Sequence, residues 1–363
     1  LDWNPLSYFC SGVNITSLRA PTLNVARMPA FRMVPDRGDP LLPDVDINIG
    51  QLHIDRIVFA KGITGEEQVA SLQGKVQIAD HRAIVTAAAG SLRGDRIVLK
   101  LDAVPDDNRF DIDLKLDAPA KGLVAGLMGR EVPMQMTLVG RGSWRKWDGA
   151  LSANMGAAEV ADIALTAREG TFTAKGTAAP AKFMADSLLV RALSPVANID
   201  MAARFAERTA KISGTLRSAA MEMRADGVAD LGEARFRDLA LDIRLLRPGI
   251  IGSNVSGTNV RGKALLNGAF AQPTVAYSAT ATRLAFGLTT FEDVTLSGEA
   301  QGAADRFLIP VTARARRVSG INQIAGGLLT NVRLNGDLAI AKGRLLSDNL
   351  KISSDRINAT ALL

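Results

Sequence analysis

The chain has 363 residues, of which 47% are hydrophobic and only 5% are aromatic. This composition excludes a disordered chain, and the few aromatic residues argue against a set of large compact cores. The formal charge is +6, but the 43 basic and 37 acidic residues are interspersed. We therefore predict no nucleic-acid partner.

The sequence begins with Leu1 and has a single cysteine, Cys10. One cysteine provides neither an intramolecular disulfide framework nor a thiolate cage for a metal. No run of about 18 apolar residues occurs. We expect residues 1–363 to be one continuous β-segment of a longer protein, whose signal or membrane anchor lies outside it.

The stretch VDINIGQLHIDRIVFAKG, residues 45–62, shows the pattern that recurs along the chain. Ile47 and Ile49 alternate with polar residues, and the alternation slips in phase at Gly50-Gln51 and again at Asp55-Arg56. The pattern predicts two short strands and part of a third, joined by tight turns or bulges, each with one apolar face.

Similar alternation follows at 96–104, 109–118, 238–246, 274–281 and 307–315. Period two over five to nine residues predicts half-buried antiparallel strands, with Pro310 marking an edge or a bulge. Turn signals between the runs give about 25 to 30 strands, a ribbon roughly 120 Å long. The residues that we expect on the apolar side, as candidates for the lining of a lipid groove, are Ile47, Ile49, Phe110, Ile112, Leu114, Leu116, Leu239, Leu241, Ile243, Val275 and Ile309.

Little helix is predicted. A short helix is expected near 119–129, because Leu123, Leu127 and Met128 have helical spacing after Pro119. Segments 194–205 and 321–332 are weaker candidates, and either could equally be a strand rich in alanine.

The sequence offers little for chemistry, so we predict no enzyme, no catalytic residue, no cofactor and no metal. His53 and His81 are the only histidines, and both are expected on the surface. The segment GTNVRGKA, 257–264, imitates a phosphate loop but has Ala264 where a hydroxyl should follow the lysine. A two-carboxylate glycosidase stays open, although aromatic sugar platforms are scarce.

Three uses of the apolar faces compete. They pack on one another as a sandwich or barrel core, they fill a solenoid, or they line an open groove that holds lipid tails. No fixed coil period supports the solenoid. Small and branched apolar side chains with few aromatics suit the groove.

The run GRGSWRKWDGALSANMG, 140–156, resembles a segment of the TamB family, the inner-membrane-anchored subunit of the translocation and assembly module, related to AsmA-like proteins. The likeness falls on Gly140, Gly142, Trp147 and Gly149, which are expected to be structural. The segments 3–29, 116–129 and 331–363 also resemble the family, so the resemblance extends over nearly the whole chain.

The resemblance implies a bridge-like lipid transfer protein in the cell envelope. It implies a periplasmic location, inner-membrane anchoring by a helix outside this segment, and a twisted antiparallel sheet curled into an elongated open groove, the β-taco. The expected function is phospholipid transport between the inner and outer membranes. The alternative is a scaffold for secretion and assembly of outer-membrane β-barrel proteins with an Omp85-type partner.

Overall fold

The computed structural model describes residues 2–3, 12–27, 46–104, 109–143, 145–184, 186–206, 208–302, 307–320, 328–341, 344–347 and 349–361. These residues are mostly in β-strands, and their only α-helices are three short ones. The predicted fold class, an all-β chain with a few short helices, is confirmed. The described residues form two compact units, one between residues 2 and 184 and one between 186 and 361. A single continuous groove across both stays a prediction.

The first unit is one sheet in which every strand pairs with the next in sequence. Its strands are β1 (Asp2–Trp3), β2 (Gly12–Val25), β3 (Asp46–Phe59), β4 (Gln68–Ala79), β5 (Arg82–Ser91), β6 (Arg96–Val104), β7 (Arg109–Ala118), β8 (Met134–Ser143), β9 (Lys146–Met155), β10 (Ala158–Arg168) and β11 (Thr171–Ala178). Its helices are α1 (Lys61–Thr64) and α2 (Leu123–Met128), and a 3-10 turn follows at Pro180–Lys182.

The second unit is built in the same way after helix α3 (Leu188–Ala192), with a 3-10 turn at Pro248–Ile250. Here β16 and β17 both pair with β18, and β22 and β23 both pair with β21. The strands are β12 (Ala197–Ala206), β13 (Thr209–Arg217), β14 (Met221–Asp230), β15 (Arg235–Leu245), β16 (Val255–Thr258), β17 (Val260–Ala269), β18 (Thr274–Phe286), β19 (Thr289–Gly302), β20 (Phe307–Ser319), β21 (Leu328–Ala341), β22 (Arg344–Leu346), β23 (Leu350–Ser353) and β24 (Asn358–Ala361).

The stretch around 45–62 corrects one prediction. The structure has a single 14-residue strand, β3, rather than two short strands and part of a third. The predicted phase slips are bulges, because the register against β4 shifts between Ile49 and Leu52 and again between Ile54 and Ile57. A bulge adds a residue without ending the strand, so the apolar side chains return to the same face after each slip.

The pairing of β2 with β3 corrects another prediction, because it is parallel whereas the other pairs are antiparallel. Each β2 residue lies beside the one 34 positions later, and Asn48 Nδ2 donates to Asn14 Oδ1 at 3.2 Å. Ile15 pairs with Ile49 and Leu18 with Leu52, so the spacing of these residues is the same in both strands. The residue that the first bulge adds to β3 therefore has a counterpart at the same place in β2. The two strands therefore stack as copies of one motif.

The three helix predictions have different outcomes. The helix expected near 119–129 is confirmed as α2. The helix expected at 194–205 is wrong, since residues 197–206 form β12 and the helix there is α3, just upstream. Of 321–332, residues 328–332 belong to strand β21, and 321–327 lie outside the described residues. Alternating alanines fit a narrow pleated surface as well as a helix, which is why β12 was misread.

Asp95, in the turn between β5 and β6, anchors helix α2 from outside. The N-cap residue of α2 is Gly122, which has no side chain with which to cap. The Asp95 carboxylate instead accepts from Leu123 N at 2.6 Å and Val124 N at 3.1 Å, and also from the Ser91 hydroxyl. It is buried. One carboxylate thus satisfies two free N–H groups at the helix start and ties α2 to the sheet.

Asp95→Ala should lower the free energy of unfolding by about 1 to 2 kcal/mol, because two helix N–H groups lose their acceptor. Urea unfolding measures the change. Asp117→Ala, at an exposed position in β7, is the matched control and should change stability by less than about 0.5 kcal/mol. Equal effects of the two substitutions would contradict the capping role.

Candidate functional site

The register of the first unit collects the predicted apolar residues on one face of its sheet, here called the apolar face. One row of directly paired residues crosses ten strands, β2 to β11, and has no polar member. The row is Leu18, Leu52, Gly74, Ala87, Leu99, Leu114, Leu138, Leu151, Ile163 and Gly176. Neighbours two positions apart in a strand share a face, so Phe110, Ile112 and Leu116 of β7 join Leu114 there.

Ile47 and Ile49 lie on the same face of the first unit. Ile49 pairs with Val76 of β4, and the row continues through Val85 and Leu101 to Ile112. Ile47 pairs with Ile78. All six candidates of this unit therefore meet on one surface, although β3 and β7 lie four strands apart in the pairing order.

The second unit repeats the arrangement. One row crosses eleven strands from β12 to β24 and again has no polar member. It consists of Ile199, Leu216, Met223, Ile243, Gly262, Ala279, Leu296, Ala313, Leu334, Ile352 and Ala359. Leu239 and Leu241 share the face of Ile243, Val275 shares that of Ala279, and Ile309 shares that of Ala313.

The other side of the second unit's sheet is polar. In the second unit the row next to the apolar one has only polar members: Asp200, Thr215, Arg224, Asp242, Lys263, Ser278, Ser297, Thr312, Asn335, Lys351 and Thr360. The sheet is thus amphipathic from strand to strand as well as along each strand. The two sides face different environments.

The apolar face is only partly covered. Of the eleven candidate residues, Leu239 alone is buried, and the other ten are half-buried. Among the described residues no large side chain is fully buried, whereas Ala118 and Ala167 are. In an ordinary sandwich core, large side chains on such a face would be sealed by a second layer. Here the face keeps contact area available for another apolar body.

Two aromatic side chains lie across glycines on this face. The Trp147 indole covers Gly140 and Gly149, and a Cβ on either glycine would overlap the ring. Trp147 Nε1–H donates to the Phe110 carbonyl at 2.5 Å, two strands away. The glycines provide the space in which the indole lies on the sheet, and this geometry supports a structural role for them.

Tyr277 makes the same arrangement in the second unit. Its ring lies over Gly298 of β19, and its hydroxyl donates to the Pro310 carbonyl of β20 at 2.6 Å. Burial raises the pKa of Tyr277 above its ordinary value. Each aromatic thus bridges three strands, and neither lacks a partner for its polar atom.

Charged pairs hold the polar side of the first unit. Asp102 of β6 accepts from Arg82 of β5 at 2.7 Å and lies 3.2 Å from Arg109 of β7. The hydrogen bond from Arg82 lowers the pKa of Asp102. Asp55 receives Arg19 at 3.3 Å and His53 Nε2 at 2.6 Å, and the Arg19 hydrogen bond lowers its pKa. His53 is half-buried and paired with Asp55, whereas an exposed position was expected.

The remaining candidates for chemistry are placed as follows. His81 is exposed in the turn between β4 and β5, as expected. The phosphate-loop imitation, 257–264, lies in β16 and β17, and Lys263 Nζ is 3.8 Å from Asp242 Oδ1. Within the described ranges no three His, Cys, Asp or Glu side chains are grouped as metal ligands. No helix of those ranges is long and apolar enough to cross a membrane.

Comparison with known proteins finds no family model, no curated protein and no solved structure that matches the chain. The resemblance to the TamB and AsmA-like family accordingly stays a prediction that rests on the residues named above. The class of the molecule is defined by its fold, an open amphipathic β-sheet in each unit.

Gly298→Ala should destabilise the second unit by about 1 to 3 kcal/mol, because the added methyl would overlap the Tyr277 ring and the Pro310 carbonyl. Urea unfolding measures the loss. Gly262→Ala is the matched control on the same face, since the nearest atom to its Cβ is 3.8 Å away. A Gly262→Ala protein as unstable as Gly298→Ala would refute the steric explanation.

Asp102→Asn should make the free energy of unfolding depend less on pH in the acid range. The folded-state pKa of Asp102 lies below the ordinary 3.8, so its contribution is complete above that pH and is lost as pH falls through the lowered pKa. Urea unfolding over a pH series measures the free energy of unfolding of the parent and of the Asp102→Asn protein. The difference between the two should be constant near neutrality and should shrink below pH 3.8. Arg82→Gln should produce the same trend, and a difference independent of pH would contradict it.

Proposed function

We propose that the chain is a non-catalytic lipid conduit, which shields phospholipid acyl chains on its apolar face during transport between the inner and outer membranes. The observation that carries the proposal is the pair of apolar rows, each crossing ten or more strands, whose large side chains are only half-buried. A row of this kind offers guest hydrocarbon an apolar contact at every strand.

The energetics favour an acyl chain as the guest. Transfer of one methylene out of water is worth about 0.8 kcal/mol, so a chain of about 16 carbons costs roughly 12 kcal/mol to hold in water. An apolar surface without interruption lowers that cost at each position along the path. A polar row would create a barrier, and the two rows described above contain none.

The composition of the face also suits a conduit. Its members are mostly Leu, Ile, Val, Ala and Gly, and Trp147 and Tyr277 lie over glycines of the sheet. Side chains without polar atoms do not select a headgroup, and no step in such transfer needs a nucleophile or a base. The headgroup stays in water.

The family resemblance provides the setting for the proposal. It adds the periplasm as the location, an inner-membrane anchor outside this segment, and an Omp85-type outer-membrane barrel as a partner. The rival function from that resemblance is a scaffold that offers strand edges to nascent outer-membrane proteins by β-augmentation.

A photo-activated crosslinking residue tests the conduit in cells. Placed at Leu114 or Leu241 on the apolar face, it should capture phospholipid. Placed at the adjacent Lys115 or Asp242, it should not, because these side chains lie on the polar side of the same strands. Protein adducts at all four positions, without lipid, would favour the scaffold and refute the conduit.

A charge on the apolar face provides a second test. Ile243→Asp should obstruct the path, because an unpaired charge in apolar surroundings costs several kcal/mol. Phospholipid co-purifying with the protein, quantified by mass spectrometry, should fall. Lys263→Asp on the polar side is the matched control and should leave bound lipid unchanged. The proposal would be contradicted if abundant Ile243→Asp protein co-purified with as much phospholipid as the unaltered chain does.

A further inference from the structure

The second unit exposes large apolar side chains at one end of its strands, here called the apolar end. It is the end at which β13 and β15 finish and β14 and β19 begin. Seven exposed residues lie there, in α3, just before β12, in the loop after β15 and at the tip after β18. They are Leu188, Leu189, Val196, Leu246, Ile251, Phe286 and Leu288.

Hydrogen bonds bring these segments to the same end. Ser218 Oγ, in the turn after β13, donates to Ala192 O of α3 at 2.5 Å. The backbone N–H of Leu246 donates to Ala220 O at 2.8 Å, and that of Gly287 donates to Asn254 O at 2.8 Å. The helix α3 also contacts the 3-10 turn Pro248–Ile250. The apolar end is therefore formed by several loops that are fixed to one another.

The opposite end of the same unit differs. Among its described residues, the exposed large apolar side chains are Phe205 and Leu231. An edge-on phenylalanine pair occurs at both ends, Phe270 with Phe236 at the opposite end (ring centroids 4.7 Å apart) and Phe286 with Phe291 at the apolar end (5.9 Å). Leu288 is 90% exposed, whereas Leu231 is 37% exposed. Exposed large apolar side chains are thus concentrated at the apolar end, and such a concentration marks an interaction site.

Arginines border the apolar end. On the polar side, Arg217, Arg244 and Arg261 lie in one cross-strand row with Glu222. Arg191 lies in α3, 3.5 Å from Asp186, and Arg247 follows Leu246. Glu222 is 3.9 Å from Arg244, which leaves Arg217, Arg247 and Arg261 without an ion pair to another described residue. Cations thus exceed anions around the exposed leucines.

We propose that the apolar end of the second unit docks on the surface of an anionic lipid bilayer. Leucine and phenylalanine tips on separate loops enter the acyl boundary, and the arginines behind them meet headgroup phosphates. A fluid bilayer accommodates tips of unequal height, whereas a protein partner would need a matching pocket for each loop. The proposal does not depend on the conduit, because it concerns the ends of the strands rather than their apolar face.

Vesicle co-sedimentation of the whole chain tests the proposal. The protein should sediment with mixed phosphatidylcholine–phosphatidylglycerol vesicles, less with pure phosphatidylcholine vesicles, and less at high salt. Leu188→Ser combined with Leu288→Ser should weaken binding by at least about tenfold, since two apolar contacts are lost. Arg217→Gln combined with Arg261→Gln should weaken binding to the mixed vesicles by about fivefold per arginine and remove most of the salt dependence.

Leu231→Ser, at the opposite end, is the matched control and should bind as the unaltered chain does. All the substituted residues are exposed, so circular dichroism and thermal unfolding should match the parent. Failure of the parent chain to bind mixed vesicles overturns the proposal, as does unchanged binding by the leucine variant. A parent chain that self-associates through the leucines without binding vesicles identifies a protein interface and also overturns it.

Discussion

The structure depends on keeping the two-residue alternation of side chains in phase from strand to strand. A single uncompensated shift would move every later side chain of that strand to the other face. Bulges provide the compensation. They occur twice in β3, and the register also shifts between Phe236 and Leu239 of β15, opposite β17. After each shift the apolar residues return to the apolar face, so rows of ten and eleven strands contain no polar member.

Glycine and alanine on this face follow from the same constraint. Where strands approach closely, a side chain would meet the backbone of its neighbour. Gly214 faces Asp200 and Met201 of β12 in this way, and Gly227 faces Asp238 and Leu239 of β15. The space gained above Gly140 and Gly298 is filled by the rings of Trp147 and Tyr277, whose polar atoms bind carbonyls of a third strand. The small residues leave space in which the aromatic rings lie flat on the sheet, so the rings add apolar surface without projecting far from the face.

The alternation in the sequence grouped the candidate residues of each unit on one face of its sheet, because period two fixes the side regardless of where strands end. That these residues line a lipid groove stays a prediction. Strand ends were predicted less well. Gly74, Gly214 and Gly227 resemble turn signals, yet they lie inside strands where the neighbouring backbone is close. The parallel pair β2 and β3 was missed, because alternation within a strand carries no information on the direction of its neighbour. The apolar end of the second unit was not predictable, because exposure at loop tips depends on which loops meet.

An amphipathic sheet of this kind must avoid joining its apolar face to another copy. Ordinary proteins achieve this with a second layer, which here would have left large side chains fully buried, and the described residues contain none. A half-covered apolar face keeps area available for an apolar body, and this is the physical basis of the conduit proposed above. On the other side of the second unit, residues of opposite charge lie beside one another across strands, as in the ladder of Arg224, Asp242 and Lys263. The division of polarity between the two sides is thus what sets the open face apart from the charged one, and the proposed lipid guest rests on that division.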